Sequence, residues 1–176
     1  ARRRIAAEDE ELDHVRHELE NKETNFSRLF DFMAEGVVFH RVVFDDAHLP
    51  VDYVMEDVNP AFTDITGLSR EEVIGKTGRE LCGRPRPYFW DQFREVIETG
   101  EQVRFETYVD PLQVYFRFFV FRIDPEHFVA VFEDVTSQKG VESALRRSEE
   151  KFRQLAENIA EGVSLIVDQH TAWVNK

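Results

Sequence analysis

Leu12, Val15, Leu19, Phe26, Leu29 and Met33 follow one another at steps of three and four, with Lys22 in the one vacant place. A period of 3.5 residues is that of a coiled-coil seam, and charged residues crowd the other faces. A single amphipathic helix packed on its own domain is the alternative. From Gly36 the period shortens to two. "GVVFHRVVF" and "PVDYVMEDVN" predict strands, joined by the turn-rich "DDAHL".

Helix signals then crowd together in "DVNPAFTDITGLSREEVIGK". Asn59 suits an N-cap, because its side-chain oxygen can accept from a free N–H of the first turn, and Pro60 fits the first helical position. Gly67 can take the left-handed turn that ends this helix. Ser69 and Glu72 form a capping-box pattern for a second helix, stopped at Gly75. Helices this short are marginal in water, so both must be held by packing. Further on, "YFWDQFREVIETG" reads as a longer amphipathic helix with Phe89, Phe93, Val96 and Ile97 inward. "QVRFETYV", "VYFRFFVFRI" and "HFVAVFEDVT" predict three more strands, with turns at Asp110-Pro111 and Asp124-Pro125. The fold class is therefore α+β: a five-stranded antiparallel sheet with short helices across one face. The last strands are apolar on both sides, so the N-terminal helix or a partner chain should cover the second face.

The chain also echoes itself. "FSRLFDFMAEGV" returns as "FRQLAENIAEGV", with Phe152 matching Phe26, Leu155 matching Leu29 and Ala160 matching Ala34, each 126 residues apart. An offset of one domain length indicates a tandem array of one fold. Between the copies, Val141, Leu145, Phe152, Leu155 and Ile159 repeat the three-four stepping, with Ser148 in a seam position. These signals divide the chain into an N-terminal helical linker (1–33), one domain (34–136), a linker helix (137–160) and the truncated start of a second domain (161–176). The opening "ARRRIAAEDEELDHV" has no start Met and reads as the middle of a helix, so a longer parent protein is expected.

Two stretches resemble the PAS family of sensor domains: "VNPAFTDITGLSREEVIGK" and the closing "FEDVTSQK". In the second, Asp134 and Thr136 occupy the polar positions of the family's Asp-Ile-Thr signature, which ends the domain before a signalling helix. The resemblance implies a PAS fold flanked by N- and C-terminal coiled-coil helices, with Asp134 and Thr136 coupling domain to helix. It further implies a sensory input module of a bacterial multi-domain protein, upstream of a histidine kinase or diguanylate cyclase output. The expected partners are a second copy in a parallel homodimer, with the seam residues named above in contact, and neighbouring PAS and output domains. A ligand-free dimerisation and relay spacer is the alternative function.

Chemistry narrows this further. With 22 basic and 35 acidic residues the net charge is −13, which disfavours nucleic acid and anionic membranes as partners. The single Cys82 suits a reducing compartment, and a cytoplasmic location is expected, although the parent protein could carry a membrane anchor elsewhere. The family's flavin-binding class resembles Gly-x-Asn-Cys-Arg-Phe-Leu-Gln, whereas here Gly75 leads into "KTGRELCGRP" and Cys82 reads as an incidental thiol. The long helix lacks the His that haem-binding relatives tend to place there. No cofactor is predicted beyond an unidentified small molecule. The histidines show no metal-ligand spacing, so no metal is expected. His40, inside a strand, reads as a structural imidazole with its hydrogen bonds satisfied. His17, in "VRHELEN", lacks the continuation of a phospho-acceptor box and reads as a solvated coil residue. No catalytic motif appears, and the chain is not expected to be an enzyme. A ligand pocket would be lined by Phe62, Ile65, Leu81, Phe93, Tyr108, Phe118 and Phe132. The sixteen phenylalanines could equally fill that space themselves.

Overall fold

The computed structural model describes the secondary structure of residues 2–158, 164–167 and 170–174, and the side chains of residues 14–155. Two compact units divide at Asp134 and Val135. In the first, α1 (Arg2–Phe32) precedes β1 (Gly36–Phe44) and β2 (Pro50–Val58). Three short helices follow, α2 (Pro60–Thr66), α3 (Arg70–Val73) and α4 (Gly78–Cys82), then α5 (Trp90–Thr99). The strands β3 (Val103–Val109), β4 (Val114–Arg122) and β5 (His127–Asp134) complete an antiparallel sheet in the order β2-β1-β5-β4-β3. The first and last strands thus pair at its centre.

Local chemistry accounts for the short helices. Asn59 caps α2 by accepting from the Phe62 N–H, and Gly67 ends that helix at φ 74°. Ser69 and Glu72 close a reciprocal capping box on α3. Thr77 and Glu80 do the same on α4, a helix that the apolar pattern did not predict. These helices also protect an edge of the sheet. The Met55 N–H donates to the Lys76 carbonyl at 3.1 Å and the Gly75 N–H to the Met55 carbonyl at 2.9 Å, so β2 is not left as an open pairing template. Phe89 points inward as expected but precedes α5, as its N-cap in a left-handed conformation (φ 59°).

Both faces of the sheet carry apolar side chains. On the inner face Val38, Val42, Tyr53, Phe116, Phe118, Val120, Phe128, Ala130 and Phe132 meet Phe62, Val73, Trp90, Phe93, Val96 and Ile97 from the helices. On the outer face Phe30, near the end of α1, is buried against Val37 and Val129, with Phe39, Phe121 and Val131 around them. Phe30 lies off the predicted seam. Of the seam, Val15, Leu19, Phe26 and Leu29 are exposed on α1.

In the second unit α6 (Thr136–Asn158) exposes Val141, Leu145, Phe152 and Leu155. The side chain of Leu12 and the whole of Ile159 lie outside the described residues. A hairpin follows, β6 (Ser164–Val167) and β7 (His170–Val174). Its pairs are Ser164 with Val174, Leu165 with Trp173, Ile166 with Thr171 and Val167 with His170, with an irregularity after Leu165. In the first unit Val38 pairs with Val58, Phe39 with Asp57, His40 with Met55 and Arg41 with Val54, with an irregularity after Phe39. The two hairpins share one register and one bulge, displaced by 126 residues on the first strand and 116 on the second.

Candidate ligand pocket

Between the inner sheet face and the helices lies a cavity of about 330 Å³, at the lower end of the volumes that hold small molecules. β1 and β2 contribute His40, Tyr53 and Met55; α2 and α4 contribute Phe62, Thr66, Leu81 and Cys82. Phe89 and Phe93 close one side, and Phe116, Phe118, Ala130 and Phe132 form the floor. Leu68 and Leu112 are 42% and 39% exposed, which leaves a rim open to solvent. Among the described residues no Asp, Glu, Lys or Arg lines it.

Small residues shape the space among so many rings. Ala130 sits between Phe128 and Phe132 on the central strand. Gly78 lets α4 approach the Tyr53 ring so closely that a Cβ there would lie 2.5 Å from the ring. Arg79 then pins α4 to β2, with Nε 3.6 Å from the buried Asp52 carboxylate. Toward β1 the rings do pack solidly, where His40 stacks on Phe128 at 4.5 Å between centroids, with Tyr53 edge-on at 4.9 Å and Phe93 at 5.6 Å. Open pocket and filled core, alternatives in the sequence, thus occur side by side.

Of the residues expected around a ligand, Phe62, Leu81, Phe93, Phe118 and Phe132 line the cavity. Ile65 packs against the core but does not reach it. Tyr108 must be moved to the outer face: the β3–β4 register puts Val103, Phe105, Thr107 and Val109 inward, and the Tyr108 ring lies against Tyr115 at 4.8 Å. Tyr53, Met55, Cys82 and Phe89 line the cavity as well, beyond the residues expected there. Asp134 ends β5 opposite Phe116, and Thr136 opens α6. Among the described residues no group of three or more His, Cys, Asp and Glu is placed to hold a metal ion, and no helix is long and apolar enough to cross a membrane.

His40 also departs from expectation. It is 2% exposed, and its Nδ1 is the one buried side-chain nitrogen or oxygen among the described residues without a hydrogen-bond partner. Burial pushes its pKa down to about 3; backbone groups of Phe128 and Val38 act in the opposite sense without hydrogen-bonding Nδ1. The imidazole is therefore uncharged at neutral pH. Burial also raises the pKa of the Tyr53 phenol, helped by the nearby Asp52 carboxylate, so that group too stays neutral.

Asn59 links the pocket to α1. Its Oδ1 accepts from the N–H groups of Val37 (2.9 Å) and Phe62 (3.1 Å). Its Nδ2 donates to the carbonyls of Phe30 (3.1 Å) and Glu35 (2.9 Å). One buried amide thus joins the end of α1, the start of β1 and the helix that carries Phe62.

The sequence model of the PAS domain family matches residues 42–137. No curated protein matches the chain closely. Among solved structures, an RNA-binding light-oxygen-voltage receptor is similar at TM-score 0.51 and 18% identity, over 73% of this chain and 37% of that one. A domain of a sensory box sensor histidine kinase/response regulator from Geobacter sulfurreducens aligns at TM-score 0.48 and 16% identity, over 66% of this chain and 96% of that one. For a sensory box sensor histidine kinase from Vibrio cholerae the values are 0.46 and 18%, over 68% and 96%. Identities this low speak for the fold alone. The family match spans more than half of the chain and takes in most of the sheet and all the helices between its strands, so the chain belongs to the PAS domain family.

Proposed function

We propose that the chain is a sensory input module, in which a small molecule enters the cavity and the flanking helices carry the response to neighbouring domains. The shared anchorage at Asn59 carries this reading, since the residue capping a wall helix also holds the end of α1. A ligand that pushes on Phe62 or Thr66 therefore strains the hydrogen bonds that fix α1. It shifts the helix if two arrangements exist with different ligand affinity. At the other end, Asp134 and Thr136 would couple β5 to α6.

The exposed stripes on α1 and α6 fit a second copy of the chain in a parallel coiled coil, because a 3.5-residue apolar repeat is buried by another helix of the same kind. The repeated hairpin register supports reading residues 161–176 as the start of a second copy of the domain. In this setting the module would lie in a bacterial cytoplasm and feed a histidine kinase or diguanylate cyclase output. We assign it no reaction of its own. The apolar stripes also favour a second reading, a ligand-free spacer that dimerises and relays.

Native mass spectrometry of the freshly purified chain separates these readings in one measurement. The sensory reading expects a dimer of the 20.7 kDa chain that carries a bound small molecule or gains one from a metabolite panel. A bare dimer that takes up nothing supports the spacer. A bare monomer at micromolar concentration contradicts both.

A further inference from the structure

We infer that the cavity takes an uncharged, ring-containing small molecule with one hydrogen-bonding group, and that the imidazole of His40 receives this group. The inference rests on the cavity being a ligand site and adds the chemistry of the occupant.

Polarity comes first. An unpaired buried polar group is costly, and folded proteins rarely keep one without a partner. Around the cavity the side chains of Tyr53, Thr66 and Cys82 are engaged. The Tyr53 hydroxyl donates to the Tyr88 carbonyl at 3.4 Å, and the Thr66 hydroxyl donates to the Phe62 carbonyl at 2.7 Å. The Cys82 thiol lies among the carbonyls of Arg79, Arg84 and Arg86. The Nδ1 of His40 is the one buried side-chain nitrogen or oxygen among the described residues that has no partner. The stack on Phe128 fixes the plane of the imidazole, and a half-turn about the Cβ–Cγ bond keeps that plane while exchanging the edge that carries Nδ1 with the edge that carries Nε2. A neutral imidazole has one donor and one acceptor nitrogen, so a hydroxyl, which can play either part, is the best match.

Charge and shape complete the description. With no ionic side chain on the wall, a carboxylate or phosphate would lose its hydration and gain no counter-charge. Phe62, Phe89, Phe118, Phe132 and the thioether of Met55 offer the faces and edges that suit a flat ring. The chain contains its own comparison: Ile166 holds the register position in β6 that His40 holds in β1. The hairpin accepts an apolar residue there, so the imidazole is not a requirement of the strand pairing.

Three probes with one ring skeleton test this on the full chain: 2-naphthol, naphthalene and 2-naphthoate. Cys82 is the only cysteine and lines the cavity, so the slowing of its reaction with a disulfide reagent reports binding of each probe. The inference expects 2-naphthol to bind at least tenfold more tightly than naphthalene, with 2-naphthoate weakest. In His40→Phe, and in His40→Leu as a second variant, the preference for 2-naphthol over naphthalene should vanish while naphthalene still binds. Naphthalene matching 2-naphthol in the unmodified chain, 2-naphthoate binding most tightly, or a preference that survives both substitutions would each overturn the inference and leave the pocket standing. Failure of all three probes to protect Cys82 would remove the pocket itself, and the inference with it.

Discussion

Replacing Asn59 with alanine is expected to lower the unfolding free energy by about 4 kcal/mol, because four hydrogen bonds end on this one side chain. The residue is 1% exposed, so water cannot take over from the lost amide. Loss of an ordinary N-cap costs about 1 kcal/mol. The excess comes from the Val37 N–H and the carbonyls of Phe30 and Glu35, which lie outside α2. Asn59→Asp should give little relief, since it keeps the accepting oxygen but turns a negative charge toward two carbonyls. Urea unfolding measures the total, and hydrogen exchange locates it. The Val37 and Phe62 amides should exchange faster in the alanine variant even where the global transition is matched. Unchanged protection at both would mean that the junction does not tie α1 to the pocket wall.

The second large effect is acid sensitivity from His40. Its pKa falls from 6.5 to about 3 on folding, so below pH 6.5 the unfolded chain takes a proton that the native chain refuses. Stability is fully present above pH 6.5 and drains away as the pH falls toward about 3, by up to about 1.4 kcal/mol per pH unit. The groups stacked round the imidazole are Phe128, Tyr53 and Phe93, none of which is charged at these pH values. Between pH 6.5 and 4.5 the unmodified chain should lose about 2 kcal/mol more than His40→Phe, measured by urea unfolding at each pH. The carboxylates of Glu72 and Glu80 are held below their usual range by hydrogen bonds from Ser69 and Thr77. They add an acid dependence common to both proteins, which cancels in the comparison. Parallel curves would show that His40 is already protonated, or solvated, in the native state.

Much of this architecture was legible in the sequence wherever a local rule had no competitor. The β1 strand runs from Gly36 to Phe44 as its alternation predicted, and Asn59, Pro60 and Gly67 mark both ends of α2. The misses have separate physical causes. α4 has a capping box but no apolar repeat, because its five residues make barely more than one turn. Tyr108 was put on the wrong face because β3 is an edge strand with bulky residues on both sides, so alternation alone does not fix its phase. Phe30 escaped notice because a seam reading of α1 gives weight to Phe26 and Leu29, while the sheet buries the residue between their stripe and Phe39. The pocket was legible only in part. Its phenylalanines could be named, but whether they wall a space or fill it depends on the strand register and on how closely α4 approaches β2, which Gly78 permits. The partnerless Nδ1 of His40 was hidden for the same reason. A histidine on an inward strand position looks alike in sequence whether or not its neighbours offer a partner.

The cavity between sheet and helices is apolar and open, and xenon tests this without any assumption about the natural occupant. Apolar cavities take up xenon. In crystals of the full chain under xenon pressure, the account expects a strong peak between Met55, Phe118 and Phe132, with those side chains unmoved. Rings collapsed into the space with no xenon among them would contradict it.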